Sequence, residues 1–164
     1  MTADETGVLE RLIRRLEEAA VHYCVVGGQA VNAYVEPLVS LDLDLALAAG
    51  EIERVAGLLA ADFEVERFAH SLNVSASGSD LRVQFQADPR YQEFPRRATR
   101  RHVLGLELPV ATLEDVLQGK LWAASDPSRR ASKRQKDLAD IARILEAFPA
   151  LAARVPEEIR QRLL

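Results

Sequence analysis

Ser40-Leu-Asp-Leu-Asp-Leu45 is the stretch of sequence that decides the fold. Apolar residues alternate with other residues over positions 41–47, and this period of two predicts a strand. The leucines then face the core, while Asp42 and Asp44 project from the opposite face, roughly 7 Å apart along the strand. Because like charges on one face repel, the strand either leaves them in open water or places a cation beside them.

The aspartate pair suits a divalent cation. Mg²⁺ takes hard oxygen ligands and is commonly held by one or two carboxylates together with substrate phosphates. A cation in that position can neutralise charge that develops on a phosphoryl group during transfer. The alternative is an amphipathic edge strand on which Asp42 and Asp44 are simply solvated.

A glycine pair precedes this strand and makes the pattern more specific. A short, apolar strand predicted at 22–26 ends at Gly27-Gly28, and a short helix is predicted at 29–34. Backbone N–H groups at such a pair are free to approach phosphate oxygens. Most isolated Gly-Gly pairs are only turns, so the order strand, glycine pair, helix, Ser40 and Asp-x-Asp strand is what carries the information.

In this order of elements the chain resembles the DNA polymerase β-type nucleotidyltransferase superfamily. The resemblance runs through Val25-Val-Gly-Gly-Gln-Ala-Val-Asn-Ala-Tyr34 and Ser40-Leu-Asp-Leu-Asp-Leu45. It is strongest for the small bacterial branch that includes abortive-infection and toxin–antitoxin nucleotidyltransferases. The resemblance implies an NTP as donor, Mg²⁺ held by Asp42 and Asp44 as cofactor, and contacts of Gly27, Gly28 and Ser40 with phosphates.

Two positions depart from the superfamily pattern. A third carboxylate usually stands on a neighbouring strand, and the strand predicted at 81–86 places Gln84 there. Glutamine offers only a neutral oxygen ligand and cannot act as a base, although Asp80 and Asp88 flank the strand as candidates. Leu38 stands where relatives often carry an arginine that contacts phosphate.

Two residues of the C-terminal part are further candidates for the site. Lys120 falls in the apolar stripe of its helix, so it must either reach solvent or meet an anion. The resemblance implies a role for Lys120 in triphosphate binding. The same resemblance makes Asp137 a candidate general base, whereas the residues alone are equally consistent with solvated i,i+4 pairs of Asp137 with Lys133 and of Asp140 with Lys136.

The remaining pattern predicts an α+β (α/β) fold with a small mixed sheet, flanking helices and a helical C-terminal part. A single domain is expected over 1–164, with a core at about 7–111 and the helical part at about 112–164. Thr112 begins a capping-box pattern that opens a helix, and Ser132 is predicted to cap the next one. Further helices are predicted at 8–20 and 51–61, strands at 72–76 and 103–110, and a basic stretch at 90–102.

Composition agrees with a globular protein. The 164 residues include 21 Lys and Arg against 25 Asp and Glu, and the resulting net charge of −4 argues against a generic nucleic-acid-coating protein. Cys24, the only cysteine, lies in an apolar run and is predicted to be buried. We expect no secretory signal and no membrane span, and therefore a cytoplasmic protein.

Two functions follow from these observations. The first is transfer of a nucleoside monophosphate from an NTP to an unidentified acceptor, with a tRNA-like RNA or a protein as candidates. The second is a catalytically weakened binding or regulatory module of toxin–antitoxin type, with an antitoxin or toxin as partner protein. Gln84 and Leu38 favour the second function, and the glycine and aspartate pairs favour the first.

Overall fold

A seven-stranded mixed sheet forms the centre of the structure, a computed structural model that describes residues 1–163. The spatial order of the strands is β3-β4-β5-β2-β1-β7-β6. Their bounds are β1 Tyr23–Val26, β2 Asp42–Leu47, β3 Glu64–Arg67, β4 Ser71–Ser75, β5 Arg82–Gln86, β6 Thr99–Val103 and β7 Leu106–Val110. The mixed sheet confirms the predicted fold class.

Helices cover the sheet and make up most of the C-terminal part. Their bounds are α1 Ala3–Glu18, α2 Gly27–Tyr34, α3 Ile52–Leu59, α4 Phe94–Arg97, α5 Leu113–Ser125, α6 Ala131–Ala147 and α7 Glu157–Arg160. Two 3₁₀ segments lie at Pro89–Tyr91 and Pro149–Arg154. No helix within residues 1–163 is both long enough and apolar enough to cross a membrane. The single domain over 1–164 stays a prediction, and residue 164 lies outside the described part.

The alternation of residues over positions 41–47 sets the register at the centre of the sheet. Strands β2 and β5 pair in parallel, so that Asp44 stands beside Gln84 and Leu45 beside Phe85. Leu43, Leu45 and Phe85 are completely buried, whereas Asp42 and Gln84 are exposed on the other face. One face of the sheet therefore supplies the core and the other face supplies polar groups, as the period of two predicted.

The segment after residue 98 differs from the prediction of one strand at 103–110. It forms an antiparallel hairpin of β6 and β7, turned at Leu104 and Gly105 with φ of +51° and +82°. A two-residue turn with both φ values positive matches the right-handed twist of its strands. The prediction was wrong for two reasons. Leu104 is an apolar residue at a turn position that favours glycine, so the apolar pattern of the strand continues through it. The sequence of β6 is basic and lacks the apolar alternation of a strand.

Two other local predictions need correction. Strand β3 was not predicted, because its sequence Glu-Val-Glu-Arg is charged and mostly exposed at the edge of the sheet. Ser132 is not a cap, since α6 starts at Ala131 and the N-cap position holds Arg130 without a side-chain hydrogen bond. Thr112 does cap α5 by accepting a hydrogen bond from the Asp115 N–H.

We expect Leu45→Ala to lower the free energy of unfolding by about 2–5 kcal/mol, because it opens a cavity in the centre of the core. Leu38→Ala is the matched control, since Leu38 is 59% exposed and its truncation should change stability by less than about 0.5 kcal/mol. Urea denaturation followed by circular dichroism measures both values. Equal effects of the two substitutions would contradict the assignment of Leu45 to the core.

Candidate functional site

A cavity of about 430 Å³ opens on the polar face of the sheet, between the strands and helices α5 and α6. Eight of the candidate residues named from the sequence line this cavity. They are Gly27, Gly28, Ser40, Asp42, Asp44, Gln84, Lys120 and Asp137. Residues more than 90 positions apart in the sequence thus meet in one place.

The two aspartates form the negative floor of the cavity. Asp42 is exposed at the first position of β2, and Asp44 is partly buried two residues later. Burial raises the pKa of the Asp44 carboxyl above its usual value; the positive charge of Lys120 opposes this shift, and the negative charge of Asp42 adds to it. A cation beside the pair would relieve both the burial cost and the repulsion.

Gly27 is required by its close approach to Asp44. The antiparallel pairing of β1 with β2 places Val26 opposite Asp44, so the next residue lies against the carboxylate. Gly27 has φ +69°, and a Cβ there would overlap Asp44 Oδ2 and lie 3.1 Å from Asp44 Cβ. Gly28 has more room, since the nearest atom to its Cβ position is Asp140 Oδ2 at 4.0 Å.

Polar side chains of α2 hold the segment between α2 and β2. Gln29 Nε2 donates to the Ser40 carbonyl oxygen over 3.0 Å. Asn32 donates to the Leu38 carbonyl oxygen over 2.7 Å and accepts from the Leu38 N–H over 3.1 Å. Arg143 of α6 adds a bond of 2.7 Å to the Glu36 carbonyl oxygen. Ser40 Oγ, held in this way, accepts from the Asp42 N–H over 3.2 Å and belongs to the cavity wall.

Lys120 is buried and meets carboxylates of the protein itself. Its side chain is 8% exposed, and Nζ lies 3.1 Å from Asp137 Oδ1 and 2.9 Å from Asp140 Oδ2. Of the alternatives left open by the sequence, Lys120 therefore meets anions and does not reach out to solvent. The contact of Lys120 with Asp140 is an ion pair without hydrogen-bond geometry, because Asp140 Oδ2 makes no hydrogen bond within residues 1–163.

Asp137 is completely buried and held by two cations. Besides the contact with Lys120, it accepts hydrogen bonds from Arg129 over 2.6 Å and 3.3 Å. Asp140 is bound in the same way by Arg143, over 2.8 Å. Among the described residues, Asp137 does not pair with Lys133 and Asp140 does not pair with Lys136. Both lysines are exposed and line the cavity. Whether Asp137 acts as a general base stays a prediction.

Gln84 occupies the place beside the aspartate pair that the sequence assigned to it. Its Cα is in register with Asp44 on β2 and with Asn73 on β4. Asp88 does not substitute for the missing carboxylate, because it accepts hydrogen bonds from Arg90 outside the cavity lining. Asp80 is exposed and also lies outside that lining.

The donor set fits Mg²⁺ bound together with a substrate. Residues 1–163 contain no group of three or more His, Cys, Asp or Glu side chains that could enclose a metal ion. Two carboxylates with open positions are the arrangement that suits Mg²⁺, which keeps waters and completes its shell with phosphate oxygens. Asp42 and Asp44 are the residues that would hold such an ion.

Several cavity residues carried no assignment from the sequence. Asn73 and Ser75 of β4 line the cavity next to Arg82 and Gln86 of β5. The alternation of buried Leu72 and Val74 with these polar residues was the available signal. Tyr91 also lines the cavity, where its ring packs edge-on against Phe94 and Trp122 with centroids 5.2 Å away from each.

Comparison with known proteins places the chain in a family. The family model of the nucleotidyl transferase AbiEii toxin, from type IV toxin–antitoxin systems, matches residues 9–164. The chain belongs to the AbiEii family. This confirms the resemblance to the toxin–antitoxin branch of the nucleotidyltransferase superfamily. No curated protein matches the chain significantly.

Solved structures share the nucleotidyltransferase fold of this AbiEii chain. The resistance factor ANT(2″)-Ia in complex with adenylyl-2″-tobramycin is 15% identical with a TM-score of 0.62, covering 99% of this chain and 100% of that chain. The lincomycin-bound lincosamide adenylyltransferase LnuA is 13% identical with a TM-score of 0.55, covering 88% and 98%. A nucleotidyltransferase-like protein from Paracoccidioides brasiliensis is 20% identical with a TM-score of 0.56, covering 89% and 78%. These likenesses concern the fold alone.

We expect Gly27→Ala to lower the free energy of unfolding by about 2 kcal/mol or more, since the left-handed backbone alone costs about 1–2 kcal/mol and the Cβ overlaps Asp44. Gly28→Ala is the control, because its Cβ has room and alanine favours a helix by up to about 1 kcal/mol. Urea denaturation of both variants tests this. A Gly27→Ala variant as stable as Gly28→Ala would contradict the close approach.

We expect Lys120→Met to destabilise the protein by about 3 kcal/mol, because it removes the buried cation that contacts both Asp137 and Asp140 and leaves each carboxylate with one partly exposed arginine. Lys136→Met, at an exposed position of the same cavity, should change stability by less than about 0.5 kcal/mol. Thermal and urea unfolding provide the two measurements. Similar stability of both variants would show that Lys120 is not needed to compensate buried charge.

Proposed function

We propose that this protein transfers a nucleoside monophosphate from an NTP to an acceptor, using Mg²⁺ held by Asp42 and Asp44. The observation that carries the proposal is the single cavity lined by both aspartates, the glycine pair and a basic wall. Membership of the nucleotidyltransferase family and the shared fold support the reaction class. When bound, Mg²⁺ supplies positive charge that neutralises and orients the phosphoryl group being transferred.

The chain's own residues divide the remaining work. Gly27 and Gly28 open α2, so backbone N–H groups at its first turn can donate to phosphate oxygens. Ser40 lies two residues before β2 and lines the cavity together with the aspartates. Lys133 and Lys136 are exposed at the cavity and can attract the triphosphate, and the buried Lys120 also lines the cavity. A metal ion needs the carboxylates of Asp42 and Asp44, and the triphosphate needs the lysines. The cavity provides these two sets of charges on different elements.

The acceptor oxygen must attack the α-phosphorus, pyrophosphate must leave, and the proton of an acceptor hydroxyl must be taken up. Asp137 is the candidate base for that proton. Its oxygens are in contact with Lys120 and Arg129, so an acceptor hydroxyl must replace one of these contacts to reach the carboxylate. Acceptors to be tested are a tRNA-like RNA, a protein and, since one neighbour carries adenylyl-2″-tobramycin, an aminoglycoside.

A second candidate function is a nucleotide-binding or regulatory partner in a toxin–antitoxin pair. Gln84 beside Asp44 favours it, because the third carboxylate expected in the superfamily is missing there. The toxin–antitoxin association of the family supports a partner protein. This function predicts binding of Mg²⁺–NTP without turnover.

Labelling separates the two functions. With α-³²P-labelled NTPs, Mg²⁺ and either total RNA, lysate protein or tobramycin, we expect transfer of label that Asp44→Asn reduces at least 100-fold. Asp80→Asn, which removes an exposed carboxylate outside the cavity, should retain full transfer. Absence of label with all four NTPs, together with calorimetric binding of Mg²⁺–ATP or Mg²⁺–CTP, would reject transfer in favour of the binding module.

A further inference from the structure

We propose that the site holds one divalent cation and not two, and that Gln84 is the residue that excludes the second. This inference rests on the proposed function, in which Asp42 and Asp44 hold Mg²⁺. It concerns the number of cations that the site holds.

The placement of Gln84 is set by the sheet. Asp44 and Gln84 are paired in register on adjacent parallel strands, whose backbones lie about 4.8 Å apart. Both side chains line the cavity, while their chain neighbours Leu45 and Phe85 are fully buried on the other face. A carboxylate at position 84 would therefore stand next to Asp44 and could share a cation with it.

The side chain that is present there carries no charge. A glutamine oxygen is a neutral ligand that cannot offset a cation as a carboxylate does. Asp42 and Asp44 together carry two negative charges, which match one divalent ion. Within residues 1–163 no third carboxylate joins this group.

The neighbours of Gln84 do not supply the missing charge. Asn73, which faces Gln84 from β4, is neutral, and Arg82, in register with Asp42 on β5, is cationic. Arg82 makes no ion pair within the described residues, so its charge is not offset on the β5 side of the cavity and repels a cation there. Two divalent ions in such sites lie about 3.5–4 Å apart and need shared anionic ligands to offset their repulsion. The β5 side of this cavity offers none.

Restoring the carboxylate tests the proposal. Gln84→Glu should create the second cation position, whereas Gln86→Glu adds the same charge two residues further along the same face of β5, beside Ala46. The side chain introduced by Gln86→Glu can still accept the hydrogen bond that the Asp88 N–H donates to Gln86. The two variants therefore differ in whether the new carboxylate stands next to Asp44.

The probe is Mn²⁺ with α,β-methylene-ATP, measured by electron paramagnetic resonance against the nucleotide alone. We expect one bound Mn²⁺ per chain with the spectrum of an isolated ion for the native protein and for Gln86→Glu. Gln84→Glu should bind two and show the spectrum of an exchange-coupled pair. Gln84→Asp repeats the test should the longer side chain disturb folding, which circular dichroism reports.

The outcomes separate this inference from the function on which it rests. Two coupled Mn²⁺ ions in the native protein would overturn the inference and leave the proposed transfer intact. One ion in Gln84→Glu and Gln84→Asp alike, with both variants folded, would also overturn it. No bound Mn²⁺ in the native protein, with Asp44→Asn behaving identically, would remove the metal site and the proposed function with it.

Discussion

Burying charge without compensation is so costly that it constrains the whole architecture, and here the constraint acts through Lys120. This lysine of α5 is enclosed with Asp137 and Asp140 of α6, and Arg129 and Arg143 add further ion pairs, so that the balance is three cations to two carboxylates. The ion pairs of Lys120 with Asp137 and Asp140 fix α5 against α6. Because α5 and α6 form one wall of the cavity, the shape of the site follows from this balance.

The opposite wall depends on steric fit and not on charge. Gly27 passes the Asp44 carboxylate so closely that any larger residue there would displace it. The glycine therefore serves the geometry of the sheet as well as any contact with phosphate. Ion pairs position α5 and α6 on one side of the site, and the absence of a Cβ at Gly27 lets β1 approach Asp44 on the other side. The position of Asp44 therefore depends on two independent features.

Features that depend on local periodicity could be predicted from the sequence. The alternation around Asp42 and Asp44, the buried leucines and the polar face of β5 all follow from a period of two, and the resemblance supplied the site residues. The ion-pair partners of Lys120 could not be predicted, because both carboxylates lie 17 or more residues away on another helix. The β6–β7 hairpin was missed because Leu104 adopts a backbone conformation that its residue type disfavours.

The segment between α2 and β2 is held almost entirely through its main chain. Gln29, Asn32 and Arg143 bind the carbonyl or N–H groups of residues 36, 38 and 40, and Val39 is fully exposed. The path of this loop is therefore independent of the side chains it carries. Residues 36–39 lie outside the lining of the cavity that contains the aspartates. Substitutions of their side chains therefore leave Ser40 in place in the cavity wall, and relatives can vary this loop while conserving how they fold.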